Sequence, residues 1–190
     1  RDAAGPLRRP AAHPHETIGL TEPPTVHPAA LPAAALLADC DETRTRRGGP
    51  GGQHRNKVET AVVLVHRPTG IAAEASERRS QAENRRAALA RLRLRLALAH
   101  RTHPDSAGPS PLWRSRTVTG RIVVALDHDD FPILVAESLD RLQAANWELP
   151  PAAAALGVSP SQLLRLFRRE PAAWTLLSRQ RAAAGLPALS

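Results

Sequence analysis

The sequence predicts an α+β protein in which a small β-hairpin or sheet packs on one long helix, followed by a small, mostly helical unit. Residues 58–66 and 71–75 are mostly apolar and flank a turn that contains proline and glycine, which is typical of a hairpin. Residues 81–100 then place apolar side chains at helical spacing. Beyond residue 111, serines and prolines recur where helices begin. These three observations predict the fold class.

Four regions are expected along the chain. Residues 1–27 are rich in proline and hold almost no large apolar side chains, so they predict a disordered arm. Residues 28–102 predict the hairpin-and-helix domain, which opens with a short helix within residues 31–40. Residues 103–111 contain prolines, serines and a glycine and predict a linker, and residues 112–190 predict the small helical domain.

Turn and cap residues define the first domain. Pro68 presets φ in the hairpin turn and Gly70 accommodates its exit. Ser80 with Glu83 is a capping box that opens a helix reaching about His100. The predicted core stripe of this helix is Leu89, Leu92, Leu96 and Ala99. The arginines predicted to lie mainly on its other faces are Arg85, Arg86, Arg91, Arg93 and Arg95.

The C-terminal region predicts a strand or extended lead-in over Val118–Leu126, followed by helices. The helices are predicted at about residues 130–145, 150–156, 160–169 and 171–184. Ser159 with Gln162 is a second capping box, Pro160 suits a first helical turn, and Gly185 is a C-terminal stop.

The charge balance favours a polyanionic partner, because Lys and Arg number 26 against 18 Asp and Glu, a formal net charge of +8. Cys40, the single cysteine, excludes an internal disulfide framework or a thiolate cluster and is interpreted as a packing residue at a helix end. No apolar run of membrane length and no secretory signal is found, so the cytoplasm is expected, with a mitochondrial or other organelle matrix as the alternative. No cofactor is expected.

Glycine and proline make up residues 48–52, Gly-Gly-Pro-Gly-Gly. Such a segment has almost no side-chain bulk and free access to positive φ, so it can approach another backbone or a nucleotide closely. Gln53 adds a backbone N–H and a carboxamide, which can stabilise an oxyanion and orient water but cannot act as a base at neutral pH. The flanking cations His54, Arg55 and Lys57 suit phosphates. A flexible glycine loop without a role is the alternative.

The stretch Arg46–Val62, continued by Pro68–Ile71 and Glu77–Asn84, resembles the catalytic domain of class I peptide-chain release factors. The likeness covers residues 43–100. It implies that the glycine-rich loop enters the peptidyl-transferase centre of the large ribosomal subunit. There Gln53 would admit water to the ester that joins the nascent peptide to the P-site tRNA.

The resemblance also implies roles for single residues. Gly51 and Gly52 provide the shape of the tip, and Gln53 selects water through its backbone N–H and its side chain. Gln53 is also a candidate for N5-methylation by a glutamine methyltransferase. Ribosomal RNA and the P-site peptidyl-tRNA complete the site. The residues predicted to contact RNA are Arg46, Arg47, His54, Arg55, Lys57, Arg79, Arg85 and Arg86.

No codon-reading domain can be placed in the sequence, because the residues before the motif are rich in Pro and Ala and the part after it is short. The chain therefore resembles the codon-independent relatives, the ribosome-rescue hydrolases. It departs from their basic C-terminal tail, since residues 181–190 hold one arginine. Two alternatives stay open: a non-hydrolytic ribosome- or RNA-binding factor with the same fold, and a transcription regulator acting through the C-terminal helices.

Ala153, Gly157 and Leu163 have the spacing of a helix-turn-helix. The second helix carries three arginines that could meet RNA phosphates: Arg165, Arg168 and Arg169. The alternative is that Ala and Gly only let two helices pack closely while the arginines are solvated.

The remaining clusters favour structural roles. Residues 127–130, Asp-His-Asp-Asp, are interpreted as N-cap and dipole groups rather than a cation site. His100 and His103 lie at a helix end, and no third ligand accompanies them, so no metal is expected. The predicted core anchors of the C-terminal region are Trp113, Trp147 and Trp174.

Overall fold

The first layer of the fold is a three-stranded antiparallel sheet with the second strand in its centre. The computed structural model describes residues 26–45, 60–103 and 108–189. The strands are β1 (Cys40–Thr45), β2 (Ala61–His66) and β3 (Ala72–Ala75). The predicted hairpin is confirmed as β2 and β3, and residues 58 and 59 lie outside the described residues.

β1 is an edge strand that was not predicted from the sequence. It pairs with β2 along its whole length, from Cys40 opposite His66 to Thr45 opposite Ala61. An edge strand is held by backbone hydrogen bonds to its neighbour, and the polar residues of β1 show no apolar alternation that would reveal it. The interpretation of Cys40 as a helix-end residue is therefore wrong, because it begins a strand, although its burial is confirmed.

α1 spans Ala33–Ala38, which is shorter than the predicted range 31–40. Pro32 stands at its N-cap and Asp39 at its C-cap, so the chain is free to enter β1 at once. Leu36 is the buried residue of this helix and joins the core beneath the sheet.

His27 was predicted to belong to the disordered arm, but it packs against the end of α2. Its side chain is buried, its Nε2 lies 3.1 Å from the carbonyl oxygen of His100, and its Nδ1 accepts a hydrogen bond from the N–H of Ala29. A 3₁₀ turn at Pro28–Ala30 follows. Residues 1–25 of the predicted arm lie outside the described residues.

The long helix α2 spans Gln81–Ala99 and starts as predicted, because the Oγ of Ser80 accepts the N–H of Glu83 at 3.4 Å. Its buried residues are Asn84, Ala88, Leu92, Arg93, Leu96 and Ala97. Leu92 and Leu96 thus confirm the predicted stripe, whereas Leu89 is half-buried.

Two predictions about α2 are wrong. Ala99 is exposed, because Leu96 and Ala97 are the residues that face the core in the last turn. Arg93 lies on a buried face instead of an outer one and is 5% exposed, because the N-terminal segment covers it and the carbonyl oxygen of Ala29 accepts its guanidinium N–H. Burial lowers the pKa of Arg93 from its ordinary value.

Residues 108–189 form the C-terminal elements. They are α3 (Pro111–Ser115), β4 (Thr117–Val118), β5 (Arg121–Ile122), α4 (Asp130–Ala144), α5 (Leu149–Ala155), α6 (Pro160–Arg168) and α7 (Pro171–Ala183). The four predicted helices are confirmed as α4 to α7, and α3 was not predicted. Ser159 accepts the N–H of Gln162 at 3.3 Å, and Gly185 ends α7 with a φ of +71°.

The predicted lead-in over Val118–Leu126 is a short hairpin of β4 and β5. Thr119 and Gly120 form its turn with φ values of +47° and +74°. The predicted linker is in part ordered, because Ser110 caps α3 by accepting the N–H of Trp113 at 3.0 Å. Residues 104–107 of that linker lie outside the described residues.

The tryptophans divide into one core residue and two at its margin. Trp113 is 1% exposed and its Nε1–H donates to the carbonyl oxygen of Leu156 at 2.8 Å, so its role as an anchor is confirmed. Trp147 and Trp174 are half-buried and only pack against the core, which corrects the prediction for both.

The acidic run at residues 127–130 lies at the start of α4, but the side chain that caps this helix is not one of its predicted carboxylates. Asp129 stands at the N-cap but its side chain makes no cap hydrogen bond. The cap is the Nδ1 of His128, which accepts the N–H of Asp130, while the carboxylate of Asp130 pairs with Arg116 at 2.6 Å. Among the described residues, no three His, Cys, Asp or Glu side chains are grouped as a metal site.

α2 is the central layer of the molecule, since the sheet packs on it and so does α4. At the end of α2, Asp140 of α4 accepts from the N–H of Thr102 at 3.1 Å and pairs with Arg101 at 3.4 Å. One cluster of buried apolar residues runs from the sheet through α2 into α4 to α7. Within the described ranges, no helix is both long and apolar enough to cross a membrane.

Candidate functional site

The predicted catalytic residues Gly51, Gly52 and Gln53 lie outside the described residues. The same holds for five of the residues predicted to contact RNA, which are Arg46, Arg47, His54, Arg55 and Lys57. The structure does describe the base from which their segment leaves the fold and to which it returns. We call this the loop base; it consists of the paired ends of β1 and β2 with Thr60 and Asn84.

The loop base holds both ends of the segment at the same end of two neighbouring strands, β1 and β2. The last residue pair between β1 and β2 is Thr45 with Ala61. Opposing Cα atoms in an antiparallel pair lie about 4.5–5.5 Å apart. The residues between this pair are therefore attached to the fold through two points that the sheet keeps close together.

Asn84 connects the loop base to α2. Its side chain is fully buried, and its Nδ2 donates to the carbonyl oxygens of Thr60 at 2.7 Å and Arg78 at 3.0 Å. Its Oδ1 accepts the N–H of Arg78 at 2.9 Å. One carboxamide therefore satisfies three backbone groups that would otherwise be buried without partners, and it joins the returning segment, the entry to α2 and the helix itself.

An ion pair joins α2 to β1 next to the loop base. The Nε of Arg85 donates to a carboxylate oxygen of Glu42 at 2.6 Å, and Arg44 of β1 lies 3.3 Å from the other oxygen. The hydrogen bond from Arg85 lowers the pKa of Glu42 from its ordinary value. Both arginine side chains are about half exposed, so this network is a modest stabiliser that fixes the direction of β1 rather than a large source of stability.

A second arginine of α2 fixes the chain that enters the helix. Arg91 forms a bidentate pair with Glu77, with N–O distances of 2.6 and 3.2 Å, and donates to the carbonyl oxygen of Glu74 at 2.7 Å. The carboxylate of Glu77 also accepts the N–H of Ser76 at 3.0 Å. The residues between β3 and α2 are thereby held against the middle of the helix.

The remaining predicted RNA-contact residues surround this end of α2. Arg79 and Arg86 are exposed, and among the described residues neither guanidinium group has a hydrogen bond or ion pair. Arg85 is exposed as well but is engaged by Glu42. The structure thus leaves two guanidinium groups available to a polyanion beside the loop base.

Sequence reasoning missed Asn84 and Glu42 as positioning residues. A signal existed for Asn84, because it is in phase with Ala88 and Leu92 on the buried face of α2, where an uncharged polar residue calls for partners. No local signal existed for Glu42, because its partner Arg85 is brought near only by the pairing of β1 with β2.

α5 and α6, in which the sequence suggested a helix-turn-helix, are two helices joined by a short turn. Ala153 and Leu163 are fully buried, and Gly157 between the helices has a φ of +66°. Arg169, however, is not solvated: it donates to the carbonyl oxygen of Val124 at 2.7 Å, and its guanidinium lies 5.3 Å from the ring centre of Phe131. That residue is anchored to the fold, which corrects the interpretation of three equivalent arginines.

Comparisons with known proteins agree with the motif. Residues 37–113 match the family model described as the RF-1 domain. The predicted resemblance to the catalytic domain of class I release factors is therefore confirmed, and the matched segment extends past α2 to Trp113.

Several curated proteins are similar over the same segment. Peptide chain release factor PrfB1, chloroplastic, of Arabidopsis thaliana is 53% identical over 58 residues, which is 30% of this chain and 13% of that protein. Peptide chain release factor 1 of Symbiobacterium thermophilum is 54% identical over 52 residues, 27% of this chain and 15% of that protein. Peptide chain release factor 1-like, mitochondrial, of Mus musculus is 49% identical over 55 residues, 29% of this chain and 15% of that protein. The chain thus spans 13 to 15% of the length of these relatives.

Proposed function

We propose that this protein hydrolyses the ester between a nascent peptide and the P-site tRNA in the peptidyl-transferase centre of the large ribosomal subunit. Gly51, Gly52 and Gln53 are the proposed catalytic residues. The observation that carries the proposal is the place of the glycine-rich segment: it connects the paired ends of β1 and β2, and Asn84 binds the carbonyl oxygen of Thr60, the residue before β2. Similarity to release factors over this region supports it.

The proposed chemistry needs no acid–base pair from the protein. Water attacks the ester carbonyl carbon, the bond from that carbon to the ribose oxygen breaks, and the peptide leaves as a carboxylic acid while the tRNA regains its hydroxyl. The backbone N–H of Gln53 donates to the oxyanion, and its carboxamide orients the water and excludes larger nucleophiles. Removing one such oxyanion donor typically slows a reaction by roughly 100- to 1000-fold.

The proposed RNA contacts follow from charge and exposure. The cations on either side of Gln53, together with Arg79 and Arg86, neutralise phosphates of ribosomal RNA. Arg85 contributes less, because its guanidinium is already paired with Glu42. A glutamine methyltransferase that modifies the carboxamide of Gln53 is part of the same proposal.

We also propose that hydrolysis needs no stop codon and serves stalled ribosomes. The described residues that follow the matched segment fold back as helices on α2, so they are part of the body that carries the loop base. The proposed compartment is the cytoplasm, and an organelle matrix is the alternative to which the chloroplastic and mitochondrial relatives point.

The test is peptide release from purified ribosomes that carry labelled formyl-methionyl-tRNA in the P site. The A site is left empty on a truncated mRNA, or holds a sense codon or each stop codon in turn. Wild-type protein is expected to release the label on the truncated mRNA, and Gln53→Ala and Gly52→Ala are expected to lose release. Arg179→Ala, at an exposed residue of α7, is the control.

Each part of the proposal has its own refuting result. Equal release by Gln53→Ala would refute the catalytic assignment. Release only with a stop codon in the A site would refute the codon-independent role. Ribosome binding by the wild type without any release would identify the chain as a non-hydrolytic ribosome-binding factor.

A further inference from the structure

A shallow pocket lies between α6 and the β4–β5 hairpin, away from the loop base. Its lining consists of Ile122, Gln162, Arg165, Leu166 and Arg169. We call it the α6 pocket. Two guanidinium groups and a carboxamide here surround an apolar surface, a donor set that suits an anion.

The size of the α6 pocket limits what it can hold. Its volume is ≈ 40 Å³, enough for a few water molecules, since a cavity needs about 10–15 Å³ to hold one. Pockets for metabolites and cofactors are typically about 300–1,000 Å³. The α6 pocket therefore fits a phosphate edge that a larger molecule presents from outside, rather than an enclosed small molecule.

Arg169 in the pocket and the neighbouring Arg168 are held in position by the fold. One N–H of Arg169 is used by the carbonyl oxygen of Val124, and the ring of Phe131 lies beneath its guanidinium. Since a guanidinium has five N–H donors, most of them stay available. The guanidinium of Arg168, on the exposed side of α6, lies 5.2 Å from the ring centre of Trp174. Side chains that are already ordered lose little entropy when they bind.

The surroundings of the pocket are basic. Residues 156–169 contain no Asp or Glu, while Arg165 on α6 and Arg121 on β5 are exposed. Nearby carboxylates are engaged elsewhere: Asp130 pairs with Arg116, and Glu170 accepts the N–H of Ala172. Arg116 therefore neutralises Asp130, and the residues of α6 themselves add only positive charge to this face.

We propose that the α6 pocket, extended by Arg121 on the hairpin, binds phosphates of structured RNA without reading its sequence. α6 follows α5 after the turn at Gly157, and in a helix-turn-helix the second helix is the one that contacts nucleic acids. Contacts to phosphates position a protein but carry no sequence information. The choice of RNA over DNA rests on the proposed function, because a ribosome offers structured RNA to every exposed basic surface.

The binding test measures fluorescence anisotropy of an end-labelled RNA stem-loop at low salt with the full chain. Two unit charges 4 Å apart in water attract each other by about 1 kcal/mol, so losing the contact raises Kd about fivefold. Reversing one charge turns this attraction into an equal repulsion, which doubles the energy change and raises Kd about 25-fold. Arg165→Glu is therefore expected to raise Kd about 25-fold, and Arg165→Lys is expected to raise it much less. The matched control is Arg179→Glu on α7, which makes the same charge change at another exposed position.

A salt series separates local contacts from overall charge. Each lost phosphate contact is expected to reduce the slope of log Kd against log salt by about one, so Arg121→Glu combined with Arg165→Glu lowers it by about two. Equal weakening by Arg165→Glu and Arg179→Glu would overturn the proposal, because only net charge would then matter. Binding of duplex DNA that is as tight as that of the stem-loop and equally sensitive to Arg165→Glu would overturn the choice of RNA.

Parallel measurements distinguish this proposal from the proposed function. Gln53→Ala is expected to lose peptide release while its Kd for the stem-loop stays at the wild-type value. If Arg165→Glu binds the stem-loop like the wild type while Gln53→Ala loses release, the α6 proposal fails alone. If Arg165→Glu loses binding while Gln53→Ala releases peptide normally, the hydrolytic function fails and the α6 proposal stands.

Discussion

Removing the carboxamide of Asn84 is expected to weaken both the fold and the loop base. Asn84→Ala leaves the carbonyl oxygens of Thr60 and Arg78 and the N–H of Arg78 without their partner. A net intramolecular hydrogen bond contributes about 1 kcal/mol, and leaving a buried polar group unsatisfied costs about 1–3 kcal/mol. With three such bonds lost, the expected decrease in the free energy of unfolding is about 3 kcal/mol.

The assay is urea unfolding at pH 7.5, with Asn84→Asp as the matched variant. Asp keeps the shape and one acceptor but loses both N–H donors to the carbonyl oxygens of Thr60 and Arg78. If the donors matter, Asn84→Asp is at least as destabilised as Asn84→Ala; if only the lost volume matters, it stays near the wild type. An effect of Asn84→Ala within about 0.5 kcal/mol, the usual range of surface substitutions, would refute the reasoning.

A second measurement links this residue to the proposed hydrolysis. A misplacement of about 1 Å in a positioned catalytic group can cost on the order of 100-fold in rate. At a temperature where Asn84→Ala stays folded by circular dichroism, its release rate is expected to fall by about that factor. Unchanged release from the folded variant would show that Asn84 supports the fold but does not position the loop.

Three further predictions concern stability. Burial lowers the pKa of both His27 and His66, so below about pH 6.5 the unfolded chain binds protons that the folded chain does not. The free energy of unfolding is therefore expected to drop by up to about 1.4 kcal/mol per pH unit for each histidine. Urea unfolding between pH 7.5 and 5.5 should show this slope, and replacing both histidines with Gln should flatten it. Trp113→Phe removes the donor to the buried carbonyl oxygen of Leu156 and is expected to lower the free energy of unfolding by about 2 kcal/mol. Thermal unfolding would reveal this loss, and an unchanged Tm would contradict the role of that hydrogen bond. A Cβ added at Gly157 would meet no atom within 4 Å, so steric contact does not oppose Gly157→Ala. The positive φ alone is expected to lower the free energy of unfolding of that variant by about 1–2 kcal/mol, and Gly157→Asn should lower it less.

Local signals predicted the C-terminal helices well. The starts of α6 and α7 carry proline in the first turn, and a serine cap precedes α6, so their bounds follow from neighbouring residues alone. Gly185 ends α7 for an equally local reason, because its positive φ is open to glycine. Propensity and capping act over a few residues, and these signals are visible in the sequence.

Features that depend on distant partners were not predictable in the same way. β1 forms because β2 lies beside it, and its own sequence is polar. Arg93 is buried because Ala29 and its neighbours cover α2, although its sequence context resembles that of the exposed arginines around it. In the site, the glycine-rich motif is local and was recognised, whereas the role of Asn84 depends on a carbonyl oxygen of Thr60 that only the fold brings near.

α2 fixes the distance and the relative orientation between the loop base at its start and the contact with α4 at its end. Asn84 in its first turn joins the loop base, and Arg101 just beyond its last residue joins α4. With 19 residues the helix is about 28 Å long. Inserting one residue would turn one end by about 100° and move it by 1.5 Å or so, whereas four residues would turn it by only about 40° while lengthening the helix by about 6 Å. The length of α2 is thus a dimension that any binding partner contacting both ends has to match.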